Sequence, residues 1–361
     1  DGLSHNPAEY NGIKLCRAGA APVGQDSGLS QIRALLESEN LPTYDGPFGS
    51  ASSQDMLAAY SQYLRELVPL DKSRKLKVVI DTGNGMGGFT VPAVLGDEIL
   101  PALPLEIDPM YFELDGTFPN HEANPIDPEN LRDLQKRVLE VGADIGLAFD
   151  GDADRCFVVD EKGGIVDPST LTALIATREL AKVPGSTIIH NLITSRAVPE
   201  IVIENGGTAV RTRVGHSFIK ATMAETGAIF GGEHSGHFYF RDFWKADSGM
   251  LAAMHALAAL GETPETTTLS ELLKPYLRYV MSGEINTKVS DAKAVIARIK
   301  ETAIKQGSEI DELDGLTVSG DGWWFNVRSS NTEPLLRLNV EAKDIQNMEI
   351  VRDSVLSMMV G

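Results

Sequence analysis

Short apolar runs alternate with longer amphipathic stretches through most of this chain, and that alternation is what most narrows its fold. Leu76–Ile80, Leu103–Ile107 and Ala143–Phe149 read as strands, with helices near Thr90–Leu95 and over Pro128–Val141 between them. The pattern restarts after Ile165-Val166-Asp167. Strands Ser186–His190, Thr208–Arg211 and Ile229–Gly231 alternate with helices Ser169–Lys182, Ser195–Asn205 and Ser217–Thr226. Parallel strands need a crossover between them, and a helix is the usual one, so each stretch predicts an α/β unit with a largely parallel sheet. Helices Asp247–Leu260 and near Leu269–Leu277 follow. From about Met281 the pattern becomes strand Glu284–Val289, helix Asp291–Lys305, three short strands and a helix Asp344–Met359, which reads as α+β with an antiparallel sheet.

Residues 1–67 hold less: a polar loop, a short strand around Ile13–Leu15, and a helix with Met56, Tyr60, Leu64 and Leu67 on one face. That is too little for a free-standing domain. The expected divisions are 1–67 (an incomplete first domain), 68–166, 167–280 and 281–361. With 361 residues, 42% hydrophobic and 23% charged, the chain has ordinary globular composition. Its 32 Lys+Arg against 51 Asp+Glu give a net charge of -19, which argues against nucleic acid or an anionic membrane as partner. Two cysteines are too few for a disulfide framework and suit a reducing compartment, hence a cytoplasmic protein. No run approaches the length of a membrane span.

Asp150-Gly151-Asp152-Ala153-Asp154-Arg155 joins the strand ending at Phe149 to one returning over Cys156–Asp160. In an extended or turning backbone alternate side chains leave on one side, so the three carboxylates can converge past the small Gly151 and Ala153. Oxygen-only donors in that number suit Mg²⁺, and Arg155 suits a phosphate, so the loop reads as a cation site beside an anion clamp. A solvated acidic turn is the bland alternative. An EF-hand fails because its sixth position, which needs Gly, holds Arg155.

Three further loops carry chemistry. Ser4-His5-Asn6-Pro7, with Lys14 downstream, offers a hydroxyl nucleophile, an imidazole and an amine, against the plainer reading of a surface turn. Gly232-Glu233-His234-Ser235-Gly236-His237 gathers acceptors, a hydroxyl and imidazoles suited to sugar hydroxyls. Arg328-Ser329-Ser330-Asn331-Thr332-Glu333-Pro334 can form a concave anion nest between two strands, or be an ordinary hairpin loop. Gly83-Asn84-Gly85-Met86-Gly87-Gly88 satisfies G-x-G-x-x-G after a strand, with Glu106 downstream, so a dinucleotide-binding NAD(P)-dependent oxidoreductase is the alternative reading. Nothing else supplies hydride chemistry, and the glycine turn reads as structural.

Taken in order and at their wide separation, the Ser4, Asp150, Gly232 and Arg328 motifs resemble the α-D-phosphohexomutase family, nearest its bacterial phosphomannomutase/phosphoglucomutase branch. The resemblance runs from Ser4 onward and implies four domains around a central cleft: consecutive mixed α/β sheet domains plus a C-terminal α+β domain with an antiparallel sheet. It implies interconversion of hexose 6-phosphate and hexose 1-phosphate, mannose or glucose, through a phosphoserine and a hexose 1,6-bisphosphate that also serves as activator. A non-catalytic sugar-phosphate-binding homologue is a further alternative.

Carried over by position, Ser4 is the implied phosphoserine, and Ser4, Asp150, Asp152 and Asp154 the implied Mg²⁺ ligands. Arg155 is expected to steady the phosphoryl group rather than pair with the Asp side chains. Lys14, His5 and His216 are implied in proton transfer or charge stabilisation. Glu233, Ser235 and His237 are implied in sugar binding, and Arg328, Ser330, Asn331 and Thr332 in holding the unreactive phosphate. The implied partner is a phosphosugar, and the protein a monomer or dimer. Two departures stand out. Gly2-Leu3 precede Ser4 where the family has Thr-Ala, with the start of domain 1 missing, and Ile193 or Thr194 stands where a phosphate-binding Lys is expected.

Overall fold

A computed structural model describes residues 13–38, 41, 43–330 and 335–360. They gather into two compact units, one running to residue 165 and including 240–266, the other comprising 166–239 and the chain from 267 on.

In the first unit a short hairpin, β1 (Cys16–Arg17) and β2 (Ala21–Pro22), precedes helix α1 (Ser30–Glu37) and helix α2 (Leu57–Leu67). The strand expected at Ile13–Leu15 thus forms slightly later, and α1, which buries no side chain, escaped the sequence reading. The sheet follows: β3 (Leu76–Asp81), helix α3 (Gly87–Val94), β4 (Leu105–Met110), helix α4 (Arg132–Val141), β5 (Ile145–Phe149), β6 (Cys156–Asp160) and β7 (Ile165–Val166), in spatial order β4-β3-β5-β6-β7. Strands β4, β3 and β5 are parallel, while β6 returns antiparallel to β5 with Phe149 opposite Cys156. All of β5 is buried, because a strand covered on both faces must be apolar throughout. Helix α4 lays Leu134 and Val138 on this sheet and stops at Gly142, whose left-handed φ of 62° turns the Ala143 N–H back onto the Val138 carbonyl at 3.0 Å. Helix α3 begins at Gly87, earlier than the apolar pattern suggested, because its glycines pack against Thr82 and Phe112 where side chains could not.

The second unit opens with helix α5 (Pro168–Lys182), capped by the Asp167 carboxylate on the Ser169 N–H at 2.7 Å. It continues through β8 (Thr187–Asn191), helix α6 (Ala197–Glu204), β9 (Thr208–Thr212), helix α7 (His216–Thr226) and β10 (Phe230–Gly232), whose parallel core has the order β10-β8-β9. The chain then runs through β11 (Phe238–Phe240) and β12 (Ala246–Asp247) into helix α8 (Gly249–Gly261), which belongs to the first unit and packs on β6.

After helix α9 (Leu269–Leu273) comes β13 (Val280–Lys288), helix α10 (Ala292–Lys305), β14 (Glu309–Asp311), β15 (Leu316–Gly320), β16 (Trp323–Ser329), β17 (Leu335–Ala342) and helix α11 (Ile345–Val360). These strands form an antiparallel sheet in the order β13-β17-β16-β15-β14. Four strands, not three, follow α10. Asp321-Gly322, with Gly322 at φ 75°, makes the tight hairpin that pairs Gly320 with Trp323. Ile299, Leu316, Val327, Leu338 and Val340 are fully buried between sheet and helices. Among the described residues no helix is long and apolar enough to cross a membrane.

Candidate active site

The Asp loop is the bend of the β5–β6 hairpin. The Ala153 N–H bonds the Asp150 carbonyl at 3.1 Å, and Ala153 itself sits at φ 60°, an uncommon conformation for a residue with a Cβ. This tight turn does what the spacing predicted. One carboxylate oxygen from each of Asp150, Asp152 and Asp154 lies within 4.8 Å of the others. An all-oxygen trio from a fixed turn is a donor set that fits a hard divalent cation such as Mg²⁺.

Charge crowding shows in the titration of the loop. Burial raises the Asp150 carboxyl to about 7, opposed by Arg155 and reinforced by Asp154 and Asp152. Burial and Asp154 push Asp152 up as well, with Lys14 pulling the other way. The Lys14 ammonium reaches Asp154 at 3.0 Å and Asp152 at 3.2 Å. Burial alone would lower its pKa, but the two carboxylates carry it well above the ordinary lysine value.

Arg155 behaves differently from expectation. Its side chain is 1% exposed, and its Nε donates to Asp150 Oδ2 at 2.8 Å while its backbone N–H donates to Asp150 Oδ1 at 3.1 Å. The arginine therefore does pair with an Asp side chain, and the reading of it as a free phosphoryl clamp is corrected. A carboxylate as buried as Asp150 needs a counter-charge, and the nearest guanidinium supplies it.

In the second unit, the Gly232–His237 loop closes through the Glu233 N–H on the His237 carbonyl at 2.9 Å, with Gly236 at φ 84°. Glu233 is buried, accepting from the Tyr239 hydroxyl at 2.8 Å and from Asn191 Nδ2 at 3.2 Å. Ser235 and His237 are half-buried, with the His237 ring stacked near Tyr239. His234 Nδ1 lies 3.7 Å from Asp167 and 3.5 Å from the Ser169 hydroxyl. Sequence reasoning missed Asn191 and Tyr239. The available signal was positional, because Asn191 ends β8 beside the end of β10, and ligand groups gather at the carboxyl ends of parallel strands. Ile193, where the resemblance leads one to expect Lys, is buried with Leu192 and Trp324.

Arg328 lies near the end of β16, opposite Arg337 on β17. Glu284 of β13 holds both, at 2.6 Å from Arg328 and 3.4 Å from Arg337. The sequence reading overlooked Glu284, which the sheet register brings in from forty-four residues away. The Ser330 N–H bonds the Leu335 carbonyl at 3.0 Å across the loop base. Ser4, His5, Asn331 and Thr332 lie outside the described residues, as does the side chain of His216, which begins α7.

The glycine turn offers no room for a dinucleotide. A Cβ on Gly85, the second glycine and the one whose backbone a pyrophosphate would approach, would lie 2.6 Å from the Gly151 carbonyl, so protein backbone occupies that approach.

Comparison with known proteins agrees. Residues 58–164, 167–279 and 284–357 match family models described as phosphoglucomutase/phosphomannomutase alpha/beta/alpha domain II, alpha/beta/alpha domain III and C-terminal domain. The chain is 39% identical over 359 residues to a phosphomannomutase of Salmonella montevideo, covering 99% of this chain and 78% of that one. It is 39% identical over 354 residues to a phosphomannomutase of Vibrio cholerae, covering 98% and 75%. A crystal structure of a phosphoglucomutase/phosphomannomutase family protein from Burkholderia thailandensis superposes with a TM-score of 0.83 at 30% identity, covering 98% of this chain and 74% of the other. Motif order, sheet topology and these relatives converge: the chain belongs to the α-D-phosphohexomutase family and is a phosphosugar mutase.

Proposed function

We propose that this mutase interconverts hexose 6-phosphate and hexose 1-phosphate, of mannose, glucose or both, with Ser4 as phosphoryl carrier and a hexose 1,6-bisphosphate as intermediate and activator. The observation that carries the reading is the convergence of Asp150, Asp152 and Asp154 on one point with the Lys14 ammonium alongside. Phosphoryl transfer leaves the protein little covalent work, so positioning and charge stabilisation dominate. Asp150, Asp152 and Asp154 would hold Mg²⁺, which when bound supplies positive charge against the carried phosphate.

The chain's own groups divide the rest. The Ser4 hydroxyl carries the phosphoryl group, passes it to the free sugar hydroxyl, and accepts the other phosphate back once the intermediate has turned around. Lys14, His5 and His216 move protons or offset charge, while Arg155 holds Asp150 in place. Arg328 and Ser330, already oriented by Glu284 and the loop base, grip the unreactive phosphate together with Asn331 and Thr332. Glu233, Ser235 and His237 take the sugar hydroxyls. Binding energy at these non-reacting positions orients the reacting end. The two free thiols suit a reducing, cytoplasmic setting.

Substituting Ser4→Ala tests the scheme. Turnover should fall by at least about a thousandfold, as for loss of a nucleophile, while phosphosugar affinity in calorimetry stays near that of the parent. Intact mass should drop by one phosphate on phosphatase treatment of the parent and not of the variant. Unchanged turnover in the Ser4 variant refutes the phosphoserine.

A further inference from the structure

The glycine turn between β3 and α3 touches the Asp loop directly. The Met86 N–H donates to the Gly151 carbonyl at 2.9 Å. A Cβ on Gly85 would lie 2.6 Å from that oxygen and 2.8 Å from Gly151 Cα, closer than real Cβ contacts come. Gly85 has no left-handed φ, unlike Gly83 at 50°, so contact with Gly151 rather than backbone conformation demands glycine there. Gly151 is the residue between the carboxylates Asp150 and Asp152.

The turn is braced from beneath. Asp81, 1% exposed at the end of β3, accepts the Gly83 N–H at 2.9 Å and faces His121 Nε2 at 3.0 Å. His121 Nδ1 lies 2.8 Å from the Glu122 carbonyl oxygen. With an acceptor at each ring nitrogen, the setting favours the doubly protonated ring, whose charge offsets the buried Asp81 carboxylate. Burial opposes that charge, but Asp81 outweighs it and the His121 pKa is raised. Asn84, at φ 59°, donates to the Glu113 carbonyl and accepts from Asn120, both at 2.8 Å, which fixes the crest of the turn.

We infer that Gly85 and the Asp81–His121 pair form a positioning element that sets the Gly151 peptide, and through it the placement of Asp150 and Asp152 about the divalent cation. The inference rests on the reading of the Asp loop as a metal seat. Groups that orient metal ligands without touching the metal ordinarily change its affinity by about 10–100-fold when lost. The motif that mimics a dinucleotide fingerprint is on this account a brace for a cation site.

The test is Mn²⁺ binding, followed by electron paramagnetic resonance and calorimetry on the full chain without substrate. Gly85→Ala should weaken Mn²⁺ at least about tenfold, His121→Ala by a similar factor, and His121→Gln, which keeps a donor toward Asp81, by less. The KM for hexose phosphate at saturating metal should change less than about twofold in all three, since a positioning fault is confined to the metal. Parent-like Mn²⁺ affinity in Gly85→Ala and His121→Ala overturns the inference. If Gly85→Ala fails to fold, the order of the two His121 variants decides, and equal affinities overturn it. Asp152→Asn separates the premises: a parent that binds no Mn²⁺, or an Asp152→Asn that binds as well as the parent, removes the metal seat and the inference with it.

Discussion

Asp150 and Arg155 stand at the two ends of one tight bend, and their ion pair is buried so deeply that neither side chain exceeds 1% exposure. Such a pair adds little net stability, but breaking it leaves a stranded charge. Asp150→Ala, which takes away the acceptors of both Arg155 N–H groups, should therefore cost about 3 kcal/mol or more, seen as a lowered urea midpoint, with Asp154 at 3.9 Å as the second carboxylate near Arg155 among the described residues. A variant as stable as the parent would mean that Arg155 is solvated after all. Ala153 presents the opposite case. Its φ of 60° carries a Cβ penalty of roughly 1–2 kcal/mol, offset on replacement by the roughly 0.4–1 kcal/mol that glycine's freer unfolded chain costs. Ala153→Gly should leave the fold intact and raise stability by about 0.5–1 kcal/mol in urea titration, and a loss of stability would contradict the strain. The carboxylate spacing was legible residue by residue, because period-two geometry is local. The partner of Arg155 was not, because pairing depends on how much water reaches the bend.

At the scale of elements, the β5–β6 hairpin was readable from two apolar runs flanking the acids, while its register, Phe149 opposite Cys156, came from the structure. Helix α1 was overlooked for another reason: it sets Ile32, Leu35 and Leu36 at helical spacing, but the run is only eight residues long and all three side chains are exposed. The antiparallel sheet shows why packing outweighs local propensity. Leu338 on β17 lies opposite Ile285 and Val327 and is fully buried. Leu338→Ala should cost about 2–5 kcal/mol, read from an earlier transition in the fluorescence of Trp323 and Trp324 in the same sheet. A cost below about 1 kcal/mol would mean that the space collapses around the shorter side chain. Glu284 and Tyr239 were illegible for a related reason: each meets its functional neighbour through sheet register or across a loop, and register is a property of pairs of segments.

For the whole molecule, buried titratable groups set the tolerance of pH. His190, on the buried strand β8, has its pKa depressed to about 4 from 6.5, chiefly by burial, with Arg211 contributing and its bond to the Asn191 carbonyl opposing. The unfolded chain binds this proton below about 6.5 and the folded chain only near 4, so stability is complete above 6.5 and is lost as pH falls through that window. The loss is on the order of 3 kcal/mol. His190→Asn should flatten the dependence of the denaturation midpoint on pH between 6.5 and 4 relative to the parent. Parallel curves would show that the imidazole is not the group responsible.

The order of strands and helices, the three converging acids and the sugar and phosphate motifs follow from sequence by itself, because turn chemistry, alternation and side-chain type act over a few residues. Family membership was legible for the same reason, since four short motifs kept their order. What only the tertiary structure decided was partnership. Arg155 serves Asp150, Glu284 holds Arg328, Ile193 joins a core, and the glycine turn lies against Gly151 instead of a dinucleotide. Each of these depends on desolvation and close packing between segments distant along the chain, and neither quantity exists until the chain has folded.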